Sequence, residues 1–206
     1  MTNSRATVKS AADREIKARV REIAHVLFFA QGFSGTSSDA ISKAAGISKK
    51  TLYRLFASKE ELLRIIVLDT MKAIEMESDP LYDDHTMEFT KKASIMLEYI
   101  TKRYSQFSSN AVFADIRRTA PAVWNELEQW INKRREKFRT VIEDGIEQDY
   151  IRRDISAQHL LTVYTTVVSH CIEHSSLADG NITPGEVYEG FMKIFYQGIR
   201  QEGPVI

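Results

Sequence analysis

Apolar residues recur at helical spacing along nearly the whole of this chain, and no long stretch alternates apolar with polar as a half-buried strand does. Ile16, Val20, Ile23, Ala24 and Leu27 form one face of a first helix, and Gly32 and Gly35 then interrupt the pattern. Beyond them the period breaks into short pieces. Thr36, Ser37 and Ser38 are N-cap types ahead of a short helix with Ile41, Ala44 and Ala45 on its apolar side. Gly46 supplies a left-handed turn, and Ser48 caps a third helix carrying Leu52, Leu55 and Phe56. Ser58 with Glu61 three residues on is a capping box, which opens a longer helix through Leu62, Leu63, Ile66, Val67, Met71 and Ile74. Ser78-Asp79-Pro80 is predicted to end that helix, because proline disfavours helix in the residue before it. Further helices are predicted over 86–106, 121–149, 156–177 and 184–201, with a shorter one near 110–118. The predicted fold is all-α: a flexible tail over 1–11, a three-helix N-terminal domain over 12–58, and a larger helical domain over 59–206.

Charge divides the chain in the same place. The net charge is zero, yet residues 1–64 hold twelve Lys and Arg against six Asp and Glu, and the remainder carries the opposite excess. A basic head on an acidic body points to a polyanion partner for the head alone. The single cysteine, Cys171, can form no internal disulfide, which fits a reducing cytoplasm. No apolar run approaches the roughly 18 residues of a membrane span, so no membrane partner is expected. There is no Gly-rich phosphate loop, nucleophile elbow or His-Glu-x-x-His pattern, and neither enzymatic activity nor a cofactor is expected.

Residues 36–56 carry the functional argument. Two short helices separated by Ala45-Gly46-Ile47 form a helix-turn-helix, and small Ala44 and Ala45 allow a close crossing. With Ile41, Ile47, Leu52 and Phe56 turned inward, Lys49, Lys50, Thr51, Tyr53 and Arg54 fall on the outer face of the third helix. A recognition helix presents such donors there to bases and phosphates. Ser37 and Ser38 can donate to a phosphate, and Lys59 stands at the start of the fourth helix, where the dipole favours an anion. No Asp or Glu occurs between Ala40 and Lys59, whereas an ordinary solvated bundle face mixes signs.

Gly32-Phe33, Thr36-Ser37, Ile41, Ala44-Ala45-Gly46-Ile47-Ser48, Thr51-Leu52-Tyr53, Phe56 and Ser58-Lys59-Glu60-Glu61-Leu62 together resemble the N-terminal domain of the TetR family of repressors. The resemblance covers about residues 12–70. It implies that Tyr53 and Lys59 touch phosphates and that Lys49, Lys50, Thr51 and Arg54 approach bases or backbone. Two positions depart from the family pattern: Lys50 stands where a small residue is common, and Leu55 where histidine is.

Beyond residue 70 the likeness is one of architecture. It implies a homodimer built from the last two helices, with Tyr188, Phe191 and Phe195 suiting either that interface or a core, and helix-turn-helix readers independently favour two copies on a palindromic site. It also implies a small-molecule effector pocket in the middle helices, with Tyr104, Phe107, Phe113, Trp124 and Tyr164 as lining candidates that equally read as core. The expectation is a repressor released from a DNA operator by its effector; the alternative is an all-α dimeric interaction protein without operator binding. His170 and His174 lie four apart on one helix but lack a third ligand, so no metal is expected. The basic run Lys133-Arg134-Arg135-Glu136-Lys137 and the pair Arg117-Arg118 beside Trp124 read as solvated surface.

Overall fold

In the computed structural model the backbone is described for residues 2–105, 111–173 and 184–201, and side chains for 11–96, 98–99, 112–170 and 186–201. The described chain is helical: α1 (Thr2–Gln31), α2 (Ser38–Ala44), α3 (Lys49–Leu55), α4 (Lys59–Asp83), α5 (Phe89–Ser105), α6 (Ala111–Thr119), α7 (Pro121–Glu147), α8 (Ala157–Glu173) and α9 (Pro184–Ile199). No helix among the described residues is long and apolar enough to cross a membrane.

Two helix ends depart from the sequence reading. The stretch 1–11, expected as a flexible tail, continues α1 back to Thr2; it holds neither glycine nor proline, so no strong breaker stops the helix. At the other departure, α4 runs through Pro80 to Asp83 instead of stopping at Ser78-Asp79-Pro80. A proline inside a helix costs about 3 kcal/mol through its missing N–H and ring clash. Here tertiary contacts from α7 hold the last turn. Arg134 donates to Asp79 and, at 2.6 Å, to Ser78 Oγ, and its guanidinium lies 4.5 Å over the Tyr82 ring. Lys137 Nζ lies 2.9 Å from Asp79 and 3.1 Å from Asp83. Trp130 Nε1 donates to Glu75 at 2.8 Å. The basic run on α7 is therefore partly an inward seam, not simply a solvated face.

The chain divides into two compact units, Met1–Met71 with Val112–Leu127, and Lys72–Ala111 with Glu128–Ile206. In the first, Val20, Ala24 and Phe28 of α1 pack with Ile41, Leu52, Phe56, Leu62 and Leu63, and Val112, Ile116 and Val123 of α6 and α7 complete the core. This unit thus reaches beyond the 12–58 expected for a head. α6 also reaches the α1–α2 loop: Ser34 donates its backbone N–H to Asp115 Oδ2 at 2.7 Å.

In the second unit α9 packs against α5 and α8. Its core gathers Tyr82, Phe89, Ile142, Ile151, Leu160, Leu161, Tyr164, Tyr188 and Phe195. The turn after α7 is tied to the end of α9, with Arg152 donating its N–H to Ile199 O and Gln201 to Tyr150 O, each at 2.9 Å. A Cβ at Gly145 would lie 2.6 Å from the Phe89 ring and 2.7 Å from Ile151 Cδ1, so this helical position has no room for a side chain.

Candidate nucleic-acid interface

Local capping sets the two short helices. Ser37 caps α2 by accepting from Ala40 N–H at 3.1 Å. Ser48 caps α3 by accepting from Thr51 N–H at 3.0 Å. Between them Gly46 adopts φ +66°, its N–H bonds Lys43 O and the next N–H, from Ile47, bonds Ser42 O. That pair of bonds closes a Schellman motif, which requires a left-handed residue at Gly46. Ser58 caps α4 by accepting from Glu61 N–H at 2.9 Å, while the Glu61 carboxylate reaches back to Ala57 N–H.

These helices bring together Ser38, Tyr53 and Lys59. With Ser58 they line a small crevice together with Ile41, Leu52, Phe56 and Leu62. Tyr53, exposed, places its hydroxyl 2.9 Å from Ser38 Oγ, so α2 and α3 present one joined pair of hydroxyls. Lys59 Nζ donates to the carbonyls of Phe33 and Thr36 at 2.8 and 2.9 Å, and lies 4.2 Å from the Phe33 ring centroid. The ammonium thus ties α4 to the loop entering α2 with two of its three donors. Thr36 underlies the same loop: fully buried, its hydroxyl bonds Gly32 O at 2.8 Å and Leu27 O at 3.1 Å.

The remaining candidates lie elsewhere on the same face. Lys50 is exposed. Thr51 is half-buried, its hydroxyl 2.9 Å from Ser48 Oγ. Lys49 pairs with Asp39 at 3.0 Å, and that hydrogen bond holds its ammonium pKa above the ordinary value. Arg54 is gripped by Asp13 of α1 through two bonds of 2.7 and 2.8 Å, which raise its pKa further. Leu55, one of the two departures from the family pattern, lies in the first unit's core. Asp13 and Asp39 are partners of these cations that the sequence does not signal. Both lie outside the acid-free stretch, and Asp13 is 41 positions from Arg54, beyond any local pattern.

The effector and interface candidates are dispersed. Phe113 and Trp124 pack against the first unit's core, with Arg117 5.6 Å over the Trp124 ring. Tyr164 is buried in the second unit, 4.3 Å from Phe138 and facing Tyr188 with hydroxyls 3.5 Å apart; burial pushes its phenol pKa up. The side chain of Tyr104 and all of Phe107 lie outside the described residues. Tyr188 is 0% exposed and Phe195 7%, so both are core of their own chain and offer a second copy little surface. Phe191 is half-buried beside them. Among the described residues, the large apolar side chains left open on α8 and α9 are Val163 and Ile194, 52% and 74% exposed. His170 is exposed, and His174 lies outside the described residues.

The family model for bacterial regulatory proteins of the tetR family matches residues 20–66, from mid-α1 into α4. The HTH-type transcriptional regulator YvaF of Bacillus subtilis is 23% identical over 172 residues, spanning 82% of this chain and 87% of YvaF. Other curated HTH-type regulators match at 29–31% identity over less than half of their own length. Among solved structures, a TetR-family regulator from Agrobacterium tumefaciens has a TM-score of 0.74 at 16% identity, covering 91% of this chain and 99% of that one. The structure of AibR in complex with isovaleryl coenzyme A and operator DNA gives 0.66 at 17%, covering 88% and 98%. Helix order, capped helix-turn-helix and family match agree: residues 20–66 are a regulatory domain of the tetR family, and the chain around them has the fold of solved TetR-family regulators.

Proposed function

We propose that the protein is a homodimeric repressor whose two heads read the half-sites of a palindromic operator, and that a small-molecule effector bound by the second unit releases them. The observation that carries the DNA reading is the grouping of Ser38, Tyr53 and Lys59, together with a chain segment, 40–59, that includes no carboxylate. Hydroxyls and an ammonium at a helix start suit phosphate oxygens, which fix register. Lys50 and Arg54 on α3 are then the side chains placed to meet base edges, with Lys49, Thr51 and Ser37 beside them.

A dimer fits because readers of this type engage two half-sites about one DNA turn apart or a multiple of it. Val163 and Ile194, not the buried aromatics, are the apolar residues α8 and α9 would contribute. The AibR complex, which holds an acyl coenzyme A together with operator DNA, supports an effector of some kind here without fixing its chemistry. Coupling requires that effector and DNA favour different states. A hundredfold loss of operator affinity corresponds to about 3 kcal/mol. α4 contributes to both units and is the natural carrier of that coupling. The relatives are regulators, so no catalytic role is proposed, and a soluble cytoplasmic protein is the fitting context.

The test is selection from a random duplex library at two salt concentrations, comparing wild type with Tyr53→Phe combined with Lys59→Ala. The expected result is a two-fold symmetric site whose binding falls with salt and with the variant, while the variant's helical content is unchanged. No enrichment by a folded wild type would overturn the operator reading and leave the dimeric interaction protein in its place.

A further inference from the structure

Arg54 stands in the last turn of α3, and both of its terminal nitrogens donate to one carboxylate, Nη1 to Asp13 Oδ2 at 2.7 Å and Nη2 to Asp13 Oδ1 at 2.8 Å. The Lys49–Asp39 pair on the same face is a single contact between a point charge and a 72% exposed carboxylate, which imposes no orientation. Asp13 is different. Its side chain is 27% exposed and belongs to α1, the helix whose Val20, Ala24 and Phe28 are fixed in the core. A bidentate grip from a fixed carboxylate sets the plane and direction of the guanidinium. It also uses only the terminal edge of the fork. The second bidentate edge, Nε with one terminal nitrogen, is not used by Asp13, and that edge matches two acceptors on a base, such as guanine O6 and N7.

We infer that Asp13 is a specificity-determining positioning residue, which holds Arg54 aimed at a base edge and cancels its attraction for phosphates. The inference rests on the DNA-reading face proposed above. Sequence-independent binding is dominated by cations that neutralise phosphates and release counterions. An arginine already paired with a carboxylate gains little from a phosphate, and the carboxylate, lying within a screening length, repels the duplex. Base contacts reward the fixed geometry, because an oriented fork loses less freedom on binding. The carboxylate therefore lowers binding to any sequence and favours the matching one.

The experiment compares wild type, Asp13→Asn and Asp149→Asn on two duplexes: the site selected from the library by wild type, and a scrambled duplex of equal length. Asparagine at 13 keeps the shape but cannot accept a charged bidentate pair. Asp149, paired with Arg153, makes the same charge change in the second unit. For Asp13→Asn the selected site is expected to bind more weakly and the scrambled duplex more tightly, with discrimination falling roughly tenfold. The salt slope on scrambled DNA should steepen by about one, and Asp149→Asn should change neither. Equal tightening on both duplexes would make Asp13 a mere counterion and overturn the inference, as would no change at all. A wild type that fails to discriminate between any duplexes would instead overturn the DNA-reading proposal beneath it.

Discussion

Gly46 shows how much one residue can carry in a segment this short. Its φ of +66° closes the Schellman bonds after α2, and a Cβ there would have nothing within 4 Å to strike. The requirement is therefore conformational and not steric. Gly46→Ala should lower stability by about 1–2 kcal/mol, the cost of an L-residue in the left-handed region, seen as a lower midpoint in urea melts. A midpoint equal to wild type would mean that the turn tolerates another backbone. Sequence alone points to this glycine, because cap residues on both sides leave only a turn between them. Lys59 was legible only in part. Its place at a helix start suggests an anion, but its bonds to Phe33 O and Thr36 O show a second duty in building the loop, set by residues 23 and 26 positions away.

Between the elements, the clearest lesson lies in α4. A local rule stops this helix at Pro80, and the chain runs on for three more residues because α7 supplies Arg134, Lys137 and Trp130 to its last turns. Local propensity is a weak prior that side-chain pairs from a neighbouring helix can outweigh. Pro80 itself is exposed, so Pro80→Ala should add a helical N–H, remove the ring clash and raise the melting temperature. A lower melting temperature would show that proline's restraint on the unfolded chain outweighs its cost in the helix. The seam that overrides the rule joins residues some 55 positions apart, a separation no periodicity encodes.

Across the whole molecule, each unit holds a carboxylate whose pKa is pulled below its ordinary 3.8. Burial pushes Asp79 up, but Lys137 and Arg134 more than reverse it. Burial likewise pushes Asp115 up, and the Ser34 hydrogen bonds with Arg118 reverse that. A carboxylate more acidic in the folded than in the unfolded chain adds stability above the unfolded pKa and loses it as pH falls through the folded one. Stability should therefore hold from neutral pH toward 5 and drop below about 3.8. Asp115→Asn should be less stable at neutral pH and lose less in acid, by chemical denaturation across pH. An unchanged pH slope would remove Asp115 from the account. If α8 and α9 form the dimer face, Ile194→Asp should give a folded monomer by sedimentation and weaken operator binding, whereas an intact dimer would place the interface elsewhere. The sequence by itself determined the all-α class, the capped helix-turn-helix and the carboxylate-free stretch 40–59, because each depends on residues within one or two helical turns of each other. Only the tertiary structure decided that α6 completes the first unit, that Tyr188 and Phe195 are core, and that Asp13 holds Arg54. Those outcomes depend on which distant faces meet, and burial and pairing across such distances leave no local pattern in the chain.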